Sequence, residues 1–251
     1  MISLSWLDAQ LSRALRALWP SVPGHGTSQT EVFLEFSPGT QLKTTKERSM
    51  QHRFAPAGID TGDAEKVGAL LAERLASLID LSLTLKHVHW NVIGPGFIAI
   101  HELMDKQADA TREMADEIAE RLTTLGGVAD GLTQQVAKMR EADERYALGR
   151  APVMAHLGAL DKVYEQVTAG HRETIEMVAG IDPITEDLLI TQSARLELNH
   201  WFIRAHIENA DGRLATEGTV SQMDAANAAV YALRADLPTE EIDLEEIELE
   251  K

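Results

Sequence analysis

Between Phe97 and Leu125 the chain contains no proline and no glycine, and Ile98, Leu103, Met114, Ile118, Leu122 and Leu125 recur at roughly helical spacing. One long helix is predicted over this stretch. At about 100° per residue, His101, Asp105, Asp116 and Glu120 fall within roughly 100° of one another, so a single face carries all four. His101 and Asp116 are nevertheless fifteen residues apart, which at 1.5 Å per residue is about 22 Å, far beyond the roughly 2 Å of a metal–ligand bond. One chain cannot close that gap. Two copies of the helix packed antiparallel about a two-fold axis can, because the His101/Asp105 end of one then faces the Asp116/Glu120 end of the other. The spacing predicts a dimer with two equivalent sites, each built from both chains.

Imidazoles with several carboxylates and no thiolate suit Fe or Mn, with Zn also admissible, whereas an all-oxygen set would point to Mg or Ca. His89 precedes the Gly94-Pro95-Gly96 break, which brings the end of the preceding helix back beside His101. Trp90 would then lie against the metal as an outer neighbour. His87, two residues earlier, points elsewhere on a helix and is read as structural or as only an outer neighbour of the metal.

The run His89-Trp90-Asn91-Val92-x-Gly94-x-x-Phe97-x-x-x-His101-Glu102-x-x-Asp105, followed by Asp116-Glu117-x-Ala119-Glu120-Arg121, resembles the Dps family of miniferritins. The likeness continues through Asp187-Leu-Leu and Trp201-Phe202-x-Arg204-Ala205-His206-x-Glu208 and covers about residues 54–217, with the mycobacterial type most similar. The resemblance implies a ferroxidase centre between two subunits, with His89, His101 and Asp105 from one and Asp116 and Glu120 from the other. It further implies a hollow dodecamer of four-helix bundles that oxidises Fe(II), preferably with hydrogen peroxide, and stores the Fe(III) mineral inside.

The patterning of the rest agrees with an all-α, ferritin-like bundle. The first helix is expected from about Asp63, as N-cap, to Asn91. The second closes at Gly126-Gly127, the third runs from near Pro152 to Gly180, and Asp182-Pro183 opens a fourth that reaches about Ala210. The long link between the second and third, with a short helix near 134–146, is the crossover of a ferritin-like connection. The domain reading is an unmatched extension over 1–49, an arm over 50–62, the bundle over 63–217 and an acidic tail over 218–251. That tail has a short extra helix over 220–234 and a disordered end.

Glu197-Leu-Asn-His200 fits half of an ordinary di-iron bundle motif, but a second Glu-x-x-His is missing. Both residues are therefore expected in surface or packing roles. Met104, Met114, Met139 and Met154 are expected to fill core or interface gaps. Asp182, Glu186 and Asp187 cluster at the start of the fourth helix, where the resemblance places three-fold pores that admit iron. Favourable interaction with the helix dipole explains the same acids equally well.

The formal charge is −17 with no cysteine, which excludes disulfides and thiolate sites and fits a reducing cytoplasm. No apolar run reaches the roughly 20 residues of a membrane span. An acidic field draws Fe(II) and repels nucleic acid, and from Asp236 to Lys251 the tail carries eight acids and one base. Weak or absent DNA binding is the expectation, although many members of the family bind DNA. Two alternatives remain: a nucleoid-associated, DNA-protecting structural protein, and a non-catalytic metal-buffering cage. At the other end, 3–19 is amphipathic without a cleavage signal. Met50-Gln-His-Arg-Phe-Ala-Pro resembles the start of mycobacterial-type members, and Lys46-Glu47 can be encoded by AAGGAG, a ribosome-binding sequence. Translation is expected to begin at Met50; an extension that is made would serve as a docking or membrane-surface helix.

Overall fold

The computed structural model describes residues 56–140 and 145–235. The expectations for residues 1–49, for Met50 and for the acidic end from Asp236 lie outside them.

Helix α1 spans Thr61–Asn91. Its N-cap is Asp60, three residues before the expected one: the Asp60 carboxylate accepts from the Gly62 and Asp63 backbone N–H groups at 2.8 and 3.2 Å, while Asp63 pairs with Lys66 instead. Val67, Leu71, Leu75, Leu78, Leu81, Leu85 and Val88 are all buried, and their spacing of three and four draws one inward stripe. The chain turns through a two-residue strand β1 (Val92–Ile93) and the Gly94-Pro95-Gly96 break into α2, Phe97–Thr124. The inward face of α2 is Ile100, Met104, Gln107, Ala108, Thr111, Met114, Ala115, Ile118 and Leu122. That corrects the face drawn through Ile98, which is 62% exposed; Ile100 takes its place. Gly126, at φ 86°, takes the left-handed turn that closes α2, and the Gly126 and Gly127 N–H groups return to the Thr123 and Leu122 carbonyls.

The link that follows contains a short helix α3, Thr133–Met139, and ends in β2, Ala151–Pro152. β1 and β2 pair in parallel, Val92 with Ala151 and Ile93 with Pro152, so α4 (Val153–Val178) starts at the end of the bundle where α1 stops. His87 Nε2 donates to the Leu148 carbonyl at 2.8 Å and fastens the link to α1, the structural one of the two roles expected of His87. Helix α5, Pro183–Ile207, returns antiparallel to α4 and ends three residues before Ala210. The four long helices share one core, with Met104 and Met114 fully buried in it. The architecture is an all-α four-helix bundle with the crossover between its second and third long helices.

Helix α6, Gln222–Ala235, lies against α4. A Cβ at Gly158 would collide with the Ala225 carbonyl and the Ala229 methyl, so the absence of a side chain there lets two backbones touch. Ala155, Ala159 and Ala226 complete this small-residue contact.

Candidate metal centre

The turn between α1 and α2 brings His89 and His101 face to face. Their ring centroids are 3.6 Å apart with planes 20° from parallel, and Phe97 flanks His101 at 5.0 Å. Each ring is oriented by the other's backbone: His89 Nδ1 donates to the His101 carbonyl at 2.8 Å, and His101 Nδ1 donates to the His89 carbonyl at 2.9 Å. A carbonyl only accepts, so both Nδ1 atoms carry the proton. When the rings are neutral, both Nε2 atoms therefore keep their lone pairs for a metal. One turn on, Asp105 shares the half-exposed surface with His101.

Asp105 already has a partner that local sequence did not reveal. The Lys86 ammonium, on α1, forms a hydrogen-bonded ion pair with its carboxylate. That bond holds the Asp105 carboxyl below its ordinary pKa, and His89 and His101 add smaller pulls the same way. Lys86 also stands 5.9 Å from the centre of the Trp90 ring, which is 70% exposed. The only sequence signal was the helical register of Lys86 with His89 and Trp90, three and four residues on; its partner lies on another element.

Asp116 and Glu120 are exposed at the far end of α2 and make no ion pair among the described residues. Nor do any three His, Asp or Glu side chains among the described residues of this one chain gather closely enough to hold an ion. His89, His101 and Asp105 sit together; Asp116 and Glu120 sit apart from them.

The three acids at the start of α5 part company. Asp182 is only 5% exposed and its carboxylate accepts from Arg121 at 2.6 Å and from the Thr185 hydroxyl. Burial alone would raise its pKa, yet these two donors hold it below the ordinary value. Asp182 is thus used inside the protomer, tying α5 to the residue next to Glu120. Of the three, only Asp187, which is exposed, and Glu186, which is half-buried, present carboxylates to solvent.

Glu197 and His200 also separate. Glu197 binds Arg172 at the surface, 2.7 Å from its Nε. His200 is buried, stacks near Tyr164 and meets Asp161 at 2.7 Å. Asp161 also accepts from Arg204 Nε and from the Thr216 hydroxyl, each at 2.7 Å. Both residues therefore serve packing and surface contacts, as the missing half-motif implied.

The ferritin-like domain family matches residues 68–212. A "DNA protection during starvation protein" of Mycolicibacterium smegmatis is 44% identical over 176 residues, covering 70% of this chain and 96% of the relative. The solved structure "DpsA14 from Streptomyces coelicolor" superposes with a TM-score of 0.64 at 49% identity, over 66% of this chain and 98% of that one. "Dps from Microbacterium arborescens in the high iron form" gives 0.58 at 25% identity, over 62% and 100%. With the bundle, its crossover and these likenesses in agreement, the chain belongs to the Dps family of ferritin-like proteins, in its actinobacterial branch.

Proposed function

We propose that the protein is a ferroxidase and iron store that oxidises Fe(II), preferably with hydrogen peroxide, at sites shared between two subunits of a closed homo-oligomer, a dodecamer built from dimers. The observation that carries this reading is the reciprocal locking of His89 and His101, which engages both Nδ1 atoms and keeps the lone pairs of both imidazole Nε2 atoms near Asp105 for a metal. Asp116 and Glu120 of a second copy complete the set. Carboxylates favour the Fe(III) product through their charge, and the imidazoles fix the geometry. Two Fe(II) and one H2O2 give two Fe(III) and two hydroxides, so a pair of irons reduces peroxide without releasing a radical. Oxidised iron then accumulates as mineral in the cavity, and cells are protected from oxidative damage. Asp187 and Glu186 are candidates for guiding Fe(II) inward, with Asp182 as the buried anchor beside them. No described helix is long and apolar enough to cross a membrane, which agrees with a cytoplasmic or nucleoid-associated setting.

Anaerobic Fe(II) loading, followed by separate additions of peroxide and oxygen, tests the reading. Fast peroxide-dependent oxidation that leaves ferric iron in a soluble large particle supports it. Binding without turnover would make the protein a metal-buffering cage instead.

Lys86 sets an unequal start for the two irons, because an ion that uses Asp105 must first displace the ammonium. Lys86→Met is expected to tighten Fe(II) binding on the order of tenfold, the scale of outer-sphere effects at metal sites. Anaerobic calorimetry measures it; unchanged affinity would remove Lys86 from the site.

DNA binding should be weak, since phosphate contacts supply most such affinity and the net charge is −17. A gel shift at 50 mM salt is expected to leave DNA free, and tight, salt-sensitive retardation would contradict this.

A further inference from the structure

Helix α2 carries more acids at metal-ligand spacing than one shared site uses. Beyond Asp105 they are Asp109, Glu113, Asp116, Glu117 and Glu120. Glu113 and Glu117 are four residues apart, as Asp116 and Glu120 are, and at about 100° per residue these four fall within roughly 100° of one another. All four are exposed. Side chains three and four apart are neighbours on a helix surface, so Glu113 with Glu117 could hold an ion between two carboxylates just as Asp116 with Glu120 could. Spacing along α2 does not choose between the two pairs.

Tertiary contacts do choose. Asp109 pairs with Arg112 on its own helix. Glu113 and Glu117 are both claimed by Arg195 on α5: its Nη2 donates to Glu113 at 2.9 Å, and its Nη1 reaches Glu117 at 3.5 Å. Glu117 has a second donor. Gln192, completely buried, gives its amide N–H groups to the Glu117 carboxylate at 2.7 Å and to the Met114 carbonyl at 3.0 Å, which ties Glu117 to the core. A guanidinium suits this task because its planar fork of donors spans two carboxylates, where an ammonium is a single point of charge. Asp116 and Glu120, exposed on the same face, make no ion pair among the described residues.

We infer that Arg195, backed by Gln192, is a specificity-determining residue of the site: by engaging Glu113 and Glu117 it leaves Asp116 and Glu120 as the carboxylates that Fe(II) takes. The inference rests on the ferroxidase reading. Lys86 and Arg195 then act in opposite senses. Lys86 sits on a candidate ligand, Asp105, and an arriving ion must displace it. Arg195 sits on the two acids that are not ligands and keeps Fe(II) from being held where no imidazole joins it. A lone Fe(II) bound to Glu113 and Glu117 would react with H2O2 to give Fe(III), hydroxide and a hydroxyl radical, the product that a pair of irons avoids.

The test counts Fe(II) bound per subunit by anaerobic calorimetry on the full chain, with no oxidant present. The Arg195 side chain is 34% exposed and its ion pairs lie at the surface, so Arg195→Met should leave the fold intact. That variant is expected to bind about one more Fe(II) per subunit than the unmodified protein, more weakly than the shared site because two carboxylates hold it without an imidazole. Arg195→Met combined with Glu117→Gln has the formal charge of the unmodified protein and is expected to lose the extra ion again. An unchanged count in Arg195→Met overturns the inference. So does an extra ion that survives Glu117→Gln, since it would follow the lost positive charge rather than the freed carboxylates. With Asp116→Ala and Glu120→Ala added to Arg195→Met, the extra ion is expected to persist; its disappearance would assign it to the Asp116 and Glu120 pair and refute the selection. If the unmodified protein binds Fe(II) but does not oxidise it with peroxide, the ferroxidase reading fails, and the counts still decide the role of Arg195.

Discussion

Replacing His101 and Asp105 together by alanine is expected to bring Fe(II) oxidation down to the rate of iron in protein-free buffer, a loss of roughly 100-fold or more, since even outer partners of a metal site are worth 10–100-fold. The Asp116→Ala, Glu120→Ala double variant should be equally inactive. All four side chains are exposed or half-exposed on α2, so both proteins should fold and their helical circular dichroism should be unchanged. The informative experiment is to co-express the two. If each site takes His101 and Asp105 from one chain and Asp116 and Glu120 from the other, a mixed dimer has one site doubly damaged and one fully intact. With random pairing, half the dimers are mixed, and about a quarter of all sites are restored. A site contained in one chain gives no restoration at any mixing ratio. Oxidation that stays at the buffer rate in the co-expressed protein would therefore end the shared-site proposal, even if each double variant alone is dead.

Asp161→Ala is expected to be the most destabilising substitution in the bundle, costing about 3–5 kcal/mol, the range for breaking a buried charge pair by removing one partner. The Asp161 side chain is 2% exposed and is the common acceptor for His200, Arg204 and Thr216. It binds α4 to α5 and to the segment after α5. Asp161→Asn keeps the shape and part of the hydrogen bonding and should lose less. Thermal unfolding checks both, with a fall of roughly 10 °C for the alanine variant. An unchanged midpoint would show that the network contributes nothing net.

The same residue shapes the response to acid. Burial works to raise the Asp161 carboxyl pKa, but the three donors outweigh it and hold the group well below 3.8. Its stabilising contribution is thus full above the unfolded value and is lost as pH falls through the lower folded one. His156 and His171 act earlier. Burial lowers both to about 4 from 6.5, so between those values the unfolded chain takes up protons that the folded chain refuses. Stability should begin to fall below about pH 6.5 through the histidines, and Asp161 should matter only at still lower pH.

The helices were legible because their signals are local. The stripe from Val67 to Val88 has a period of three and four, Gly126-Gly127 stops α2, and Asp182-Pro183 opens α5. The differences fall where two residues of one type lie close together: Asp60 rather than Asp63 caps α1, and Ile100 rather than Ile98 faces inward on α2. The candidate ligands were visible as residue types at helical spacing. What stayed hidden was made by folding: Lys86 meets Asp105 across the hairpin, Asp161 gathers three donors from α5 and the segment after it, and β1 finds β2 across the whole crossover. No window of sequence contains both partners of such a contact. Asp182 shows the same limit from the other side, since its place in a cluster of acids suggested an open pore residue while Arg121 and Thr185 claim its carboxylate.

The pairing of Val92 with Ala151 closes a loop of 59 residues, which costs about 2 kcal/mol more in chain entropy than closing a turn of five. Contacts near in sequence form sooner than distant ones, so the α1–α2 and α4–α5 hairpins can assemble before the crossover is fastened. His89 and His101 both belong to the first hairpin, twelve residues apart. The imidazole pair of the candidate metal centre can therefore be in place while the two hairpins are still seeking each other, before the shared site we propose could be completed by a second subunit.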